Sequence, residues 1–513
     1  MLFNSWQFLL VFLPVVLGVF LCLPAAWPNA RKGWLIVVSF VFYAYWKIEY
    51  VPLLLASMGF NFGAAEGIIR WHGQRRGKLL FFAGVTGNLV LLGYYKYTNF
   101  FLQLFGRIAD QPVPKFDLIL PLAISFFTFT QIGYLVDVHR DKTKHYGLID
   151  YSLFVVFFPH LIAGPIVRHW EIIPQFMRNW PRPGGKDLAA GIALFLIGLF
   201  KKVLIADPLS EYANAAFSAL QPGLTLTFFD AWFGTLAYAL QIYFDFSGYS
   251  DMAIGLARLF AIKFPFNFDS PYKARSVVEF WQRWHVTLSR FLREYLYFSL
   301  GGNRCGPLRQ KFNVMTSMVL SGLWHGAGLP FVIWGALHGV YLVVAHVWQG
   351  LARRMESWQR HPMGGIAGWA LTFLAVLLAW VLFRAPDLPS ASRMFHIMAG
   401  AEGFQAPKAI REVKFGVGEL FLRILEPTEN RLHLSSYQLL VRMVIVMLLA
   451  VLFLPNSQQL LQAYDPTIET VARPSPIRLP LNGWTAFAAG ILFFWVIRSW
   501  FSVSQSPFLY FNF

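Results

Sequence analysis

Residues 368–383 read GWALTFLAVLLAWVLF, a run without a charged side chain. A helix that crosses the hydrocarbon core of a bilayer needs about 20 mostly apolar residues, so this run with its flanks is a candidate span. Comparable runs recur outward from it in both directions: Phe3 to Leu23, Trp34 to Trp46, Val51 to Ile69, Leu79 to Tyr95, Leu118 to Val138, Tyr151 to Val167, Leu188 to Ile205, Phe228 to Tyr249, Asn313 to Leu329, Phe331 to Trp348, Gln438 to Leu454 and Trp484 to Phe501. No polar block between them is long enough for a second core, so residues 1–513 read as a single membrane-embedded domain of all-α, multi-pass architecture.

Composition agrees. The 513 residues are 57% hydrophobic and 13% charged, against about 25% charged in an ordinary soluble domain. The formal net charge of +17 is spread through the loops between apolar runs. That is the pattern of basic cytoplasmic loops rather than of a nucleic-acid-binding face. Cys22 and Cys305 form no C-x-x-C pair and no disulfide framework. The segment Phe8 to Leu23 lacks the basic start of a secretory signal and reads as an uncleaved first span.

Alternating basic loops place Arg31 and Lys32, Arg70 to Lys78, and Arg140 to Lys144 inside, with the N-terminus outside. The scheme continues only if Tyr151 to Val167 is re-entrant, as its Pro159 and Gly164-Pro165 breaks suggest. It predicts both termini outside, an outer loop from Ala385 to Tyr437, and Arg258 to Lys311 inside. Within that inner segment, Ser276 to Leu300 reads as one interfacial helix, with Glu279, Arg283, Arg290 and Glu294 on one face and His285 in its interior.

Ionisable groups inside spans are costly and mark function by default. His160, His285, His325, His338 and His346 fall in or beside apolar runs. The sharpest context is Ser321-Gly-Leu-Trp324-His325-Gly-Ala-Gly328, where small residues admit another backbone or a ligand close to the imidazole. A neutral buried imidazole can take a proton from an attacking hydroxyl or thiol, and a packing role stays open beside that one. No histidine pair has metal-site spacing, so no metal is expected, and no G-x-S-x-G elbow is present. Asp245 and Asp251, in QIYFDFSGYSD, read chiefly as salt-bridge partners of the basic inner segment, with a cavity-lining role as the alternative.

Two of these stretches go beyond generic membrane chemistry. FWQRWHVTLSRFLREYLYFSLGGNR followed by SGLWHGAGLPFVIWGALHG resembles the membrane-bound O-acyltransferase (MBOAT) family. LPLAISFFTFTQIGYLVDVHR, FFPHLIAGPIVR, YFDFSGYSDMAIGLARL and the closing PFLYFNF resemble its branch serving alginate and other polysaccharide O-acetylation. The resemblance implies a ring of tilted transmembrane helices, with re-entrant and interfacial helices around a central tunnel. It implies His325 as catalytic histidine and His285 as the second polar position, with His160 at a position associated with activity in the alginate branch. Trp324, Ser321, Asp245 and Asp251 are then supporting or tunnel residues, and Arg283, Arg290 and Arg304 are candidates for the donor's phosphates. It further implies no bound cofactor, acetyl-CoA as cytoplasmic acyl donor, and a bacterial inner-membrane location among membrane lipids. The expected partners are periplasmic acetyltransferase or acceptor proteins and polysaccharide export machinery. Peptidoglycan, a teichoic-acid carrier, a lipid or a protein remain alternative acceptors. A transporter is a further alternative, although no internal repeat supports it.

Overall fold

The computed structural model describes residues 1–142, 145–177, 180–220, 226–352, 362–404, 435–470, 473–500 and 508–509, and these residues form helices and loops with no strand. The main helices are α1 (Gln7–Cys22), α2 (Pro28–Ala44), α3 (Val51–Arg70), α4 (Arg75–Ala109), α5 (Ile124–His139), α6 (Leu148–Val156), α7 (Gly185–Ser218) and α8 (Phe228–Leu259). After them come α9 (Val277–Arg283), α10 (Val286–Phe291), α11 (Pro307–His325), α12 (Leu329–Ala352), α13 (Pro362–Arg384), α14 (Leu388–Met398), α15 (Ser435–Phe453) and α16 (Gly483–Trp500). Five of them, α3, α4, α7, α12 and α13, are long and apolar enough to cross a membrane on their own. Each candidate span therefore meets a helix, and the chain is an all-α multi-pass membrane protein. Of the expected outer loop 385–437, the structure shows α14, while residues 405–434 lie outside the described residues.

The hydrophobic interior divides into two clusters. One gathers α1, α2, α3, α5 and α6, and the other gathers residues 268–292 with α12 to α15. Helix α8 joins them, its first half packing in the second cluster and its end, from Tyr249 onward, in the first. Its 32 residues run roughly 48 Å at 1.5 Å per residue, longer than a hydrocarbon core of about 30 Å, so it can lie within a bilayer only by tilting or projecting. Nearly every side chain from Ala237 to Leu259 is buried. Glycines let α7 approach it closely, since a Cβ on Gly198 would sit 2.4 Å from the Gly248 carbonyl oxygen.

Two expectations are revised. Ser276 to Leu300 is not one helix: α9 ends at Arg283, His285 takes a left-handed conformation with φ +42°, and α10 restarts at Val286 before widening into a π-helical turn at Leu292–Tyr297. The Glu279–Arg283 pair forms, but Arg290 pairs with Glu469, and Glu294 pairs with Arg168 at 2.8 Å. Asp245 and Asp251 are salt-bridged, though not to the basic inner segment. Lys202 Nζ binds Asp245 at 2.7 Å and Asp207 at 2.8 Å, and Lys201 binds Asp251 at 2.6 Å. These lysines occupy a π-helical turn of α7, next to the close α7–α8 contact. Segment Tyr151 to Val167 takes in the end of the nine-residue α6 and a single turn at Phe158–Leu161. At about 13 Å, α6 is too short to cross.

Candidate active site

Helix α11 delivers His325 as its last residue. The helix reaches that point by packing backbone to backbone on α12: a Cβ at Gly322 would meet the Phe331 carbonyl oxygen at 2.2 Å, and one at Gly335 the Met318 carbonyl oxygen at 2.3 Å. The small residues around His325 thus admit a neighbouring backbone. The imidazole is 3% exposed, edge-on to Trp334 and Phe383 with ring centroids at 5.2 Å each, and beside Trp324 at 4.9 Å. Ser321, one turn earlier on the same face, is fully buried, and among the described residues its hydroxyl has no hydrogen-bond partner.

His285 comes to the same place from the kink between α9 and α10. Its ring is fully buried, 6.3 Å from Trp324 and edge-on to Phe246 at 4.7 Å. An αL residue that is not glycine costs on the order of 1–3 kcal/mol, so its surroundings must enforce it. Asn267 does so. Its backbone carbonyl accepts from Val286 N–H at 3.0 Å, and its Oδ1 accepts from Thr287 Oγ1 at 2.9 Å and pairs with His285 Nδ1 at 3.0 Å. Because an amide oxygen only accepts, Nδ1 carries the proton and the Nε2 lone pair faces away from Asn267.

Trp334 bridges His325 to His338, 4.8 Å from the latter, whose Nδ1 accepts from Trp281 Nε1 at 3.3 Å. Beyond His325 a cavity of about 620 Å³ is lined by Lys96, Asn99, Gln241, Phe331, Phe383 and Arg384 among others. Trp281 lines a second cavity of about 310 Å³ with Arg293, Gln310, Met318 and His346. The chain of rings Trp281–Trp334–His325–Phe383 runs from one to the other.

The other sequence candidates disperse. His160 is buried among Phe154, Phe157 and Phe264, rings of the first cluster, whereas the rings around His325 belong to the second. Asp245 and Asp251 are engaged with lysines, as above, and Leu509 N–H also donates to Asp245 at 3.0 Å. Arg283 is held by Glu279, and Arg290 by Glu469, whereas Arg304 is exposed. Among the described residues no group of three or more His, Cys, Asp or Glu side chains is gathered to hold a metal ion. Missed from sequence were Asn267, Trp334 and Lys96. Lys96 follows an apolar run and read as its boundary, but α4 continues past it to Ala109.

Two imidazoles buried about Trp324 within the second hydrophobic cluster of an all-helical, multi-pass membrane protein are groups of the kind an enzyme uses to pass a proton. Residues 127–383 match the model of the MBOAT, membrane-bound O-acyltransferase family, and the chain belongs to that family and is an acyltransferase. It is 39% identical to a peptidoglycan O-acetyltransferase of Helicobacter pylori, covering 100% of this chain and 98% of that one. A probable alginate O-acetylase AlgI of Pseudomonas aeruginosa is 40% identical over 83% of this chain and 80% of its own. A teichoic acid D-alanyltransferase of Bacillus subtilis is 25% identical over 53% of this chain and 70% of its own.

Proposed function

We propose that the protein moves an acetyl group from cytoplasmic acetyl-CoA through the membrane for O-acetylation of an exported polysaccharide. The observation that supports this reading is the pairing of His285 and His325 about Trp324, with Trp334 linking His325 to Trp281 of one cavity and Phe383 linking it to the other. The thioester enters from the 310 Å³ cavity, where Arg293 and the nearby exposed Arg304 are cations outside the carboxylate pairs that hold Arg283 and Arg290. Neutral His325 takes the proton of the attacking hydroxyl as its oxygen bonds to the carbonyl carbon. The carbon–sulfur bond then breaks, and the imidazolium returns the proton to the departing thiolate. His285, fixed by Asn267, supports His325 across Trp324. The aromatic walls exclude water that would hydrolyse the thioester.

In this reading the chain sits in a bacterial inner membrane with both termini periplasmic, and it hands acetyl groups to periplasmic partner proteins beside an export machinery. A second reading, acetyl transfer to peptidoglycan, is favoured by the full-length match to the Helicobacter pylori enzyme. The test compares acetyl-ester content of exported polysaccharide and of peptidoglycan in a deletion strain carrying wild type or His325→Ala at equal membrane levels. Restoration in one polymer by wild type alone selects the acceptor and supports His325. Equal restoration by both proteins removes His325 from the chemistry.

A further inference from the structure

The end of α11 presents an accounting problem. The last carbonyls of a helix have no partner within it, and inside a membrane each must find one. The Gly322 carbonyl accepts from Gly326 N–H at 3.3 Å. The next two are met from a different helix: Leu323 C=O accepts from Tyr97 Oη–H at 2.8 Å, and Trp324 C=O accepts from the Lys96 ammonium. Both donors lie in the π-helical turn Gly93–Tyr97 of α4, a local widening that recurs at functional sites. Lys96 also reaches Ser125 Oγ at 3.4 Å, at the start of α5, and the rings of Phe126 and Phe129 from that helix flank Trp324 at 5.6 and 5.2 Å.

A neutral donor would satisfy a carbonyl at far lower cost than an ammonium within a span, where a charge is expensive and functional by default. Among the described residues Lys96 makes no ion pair with a carboxylate, and its counter-charge is the negative end of the α11 dipole. It lines the 620 Å³ cavity and binds the carbonyl of the residue that precedes His325.

We infer that Lys96 is a positioning residue for His325: with Tyr97 it grips the two carbonyls before the histidine and fixes the imidazole behind Phe383, a wall of the cavity. The inference rests on the reading of His325 as the base. The first bundle thereby sets the position of a group carried by the second, so the two must be docked for the site to exist.

The test uses the full chain in nanodiscs, with acetyl-CoA as donor, a soluble polysaccharide or peptidoglycan fragment as hydroxyl acceptor and released thiol as readout, for wild type, Lys96→Met, Lys96→Arg and Tyr97→Phe. Hydrogen exchange at residues 321–328 is followed in parallel. Lys96→Met is expected to lower kcat about 10²-fold, as a displacement of about 1 Å does, with KM for acetyl-CoA within about threefold. Lys96→Arg, which keeps a cationic donor, recovers part of the loss, and Tyr97→Phe gives a smaller defect of the same kind. Exchange at 321–328 rises about tenfold in Lys96→Met while the rest of the chain stays protected. Unchanged kcat and exchange in Lys96→Met overturn the inference, as does a rate that falls only in proportion to folded protein. If wild type releases no thiol with either acceptor, the donor or acceptor assignment fails, and local exchange still decides whether Lys96 holds the end of α11.

Discussion

Asn267 serves as acceptor for His285 and Thr287, and its Nδ2 donates to Ser250 on α8 at 3.2 Å. Replacing it with leucine strands several buried polar groups, at about 1–3 kcal/mol for each unsatisfied one. Asn267→Leu is expected to lower the midpoint of thermal unfolding and to abolish acetyl transfer, whereas Ser250→Ala, which removes one neutral contact, retains most of both. Thermal scans and acetyl-ester assays on the same membranes decide this. The residue scale also shows what the sequence carries. His325 stood out because a polar ring among glycines in an apolar run has few explanations. Lys96 did not, because a lysine after an apolar run looks like a span boundary, and nothing local signals that the helix widens and continues. Asn267 was hidden for a related reason, its role being defined by partners 17 to 20 positions away in sequence.

Among elements, hydrophobic runs located the five helices long and apolar enough to span because span length is set by the membrane, which sequence records directly. The break at His285 escaped notice because FWQRWHVTLS contains neither Gly nor Pro. The kink is imposed by Asn267 from outside the segment, a tertiary effect that local pattern cannot show. The α11–α12 contact yields a sharp prediction. Gly322→Val places a side chain against the Phe331 carbonyl and Gly335, so the helices must separate and His325 moves with them. Loss of acetyl transfer with reduced membrane accumulation is expected. Gly63→Ala on α3, where a Cβ meets nothing within 4 Å, is the matched control. It should leave activity intact and accumulate at least as well as wild type, since alanine favours a helix over glycine by about 1 kcal/mol. Immunoblots of both variants alongside the ester assay check the pair.

For the whole molecule, sidedness has a native reporter. Cys305 is exposed in the loop between α10 and α11, which the basic-residue scheme places inside. A membrane-impermeant maleimide is expected to label it only after spheroplasts are permeabilised, and labelling of intact spheroplasts would invert the topology. At the junction of the two bundles, Lys202 and Asp245 are 1% and 2% exposed. Removing one partner of such a pair costs about 3–5 kcal/mol, so Lys202→Met is expected to reduce the folded yield sharply, as read by size-exclusion of detergent extracts. The same four charges, Lys201, Lys202, Asp245 and Asp251, bear on how the chain is made. Released singly into lipid from the insertion machinery, they would oppose entry by about 2.5–3.5 kcal/mol each. Because Asp207, on α7 itself, can offset only one of the two lysines, full neutralisation requires α7 and α8 side by side, and the two helices are expected to enter the bilayer together as a hairpin rather than one at a time.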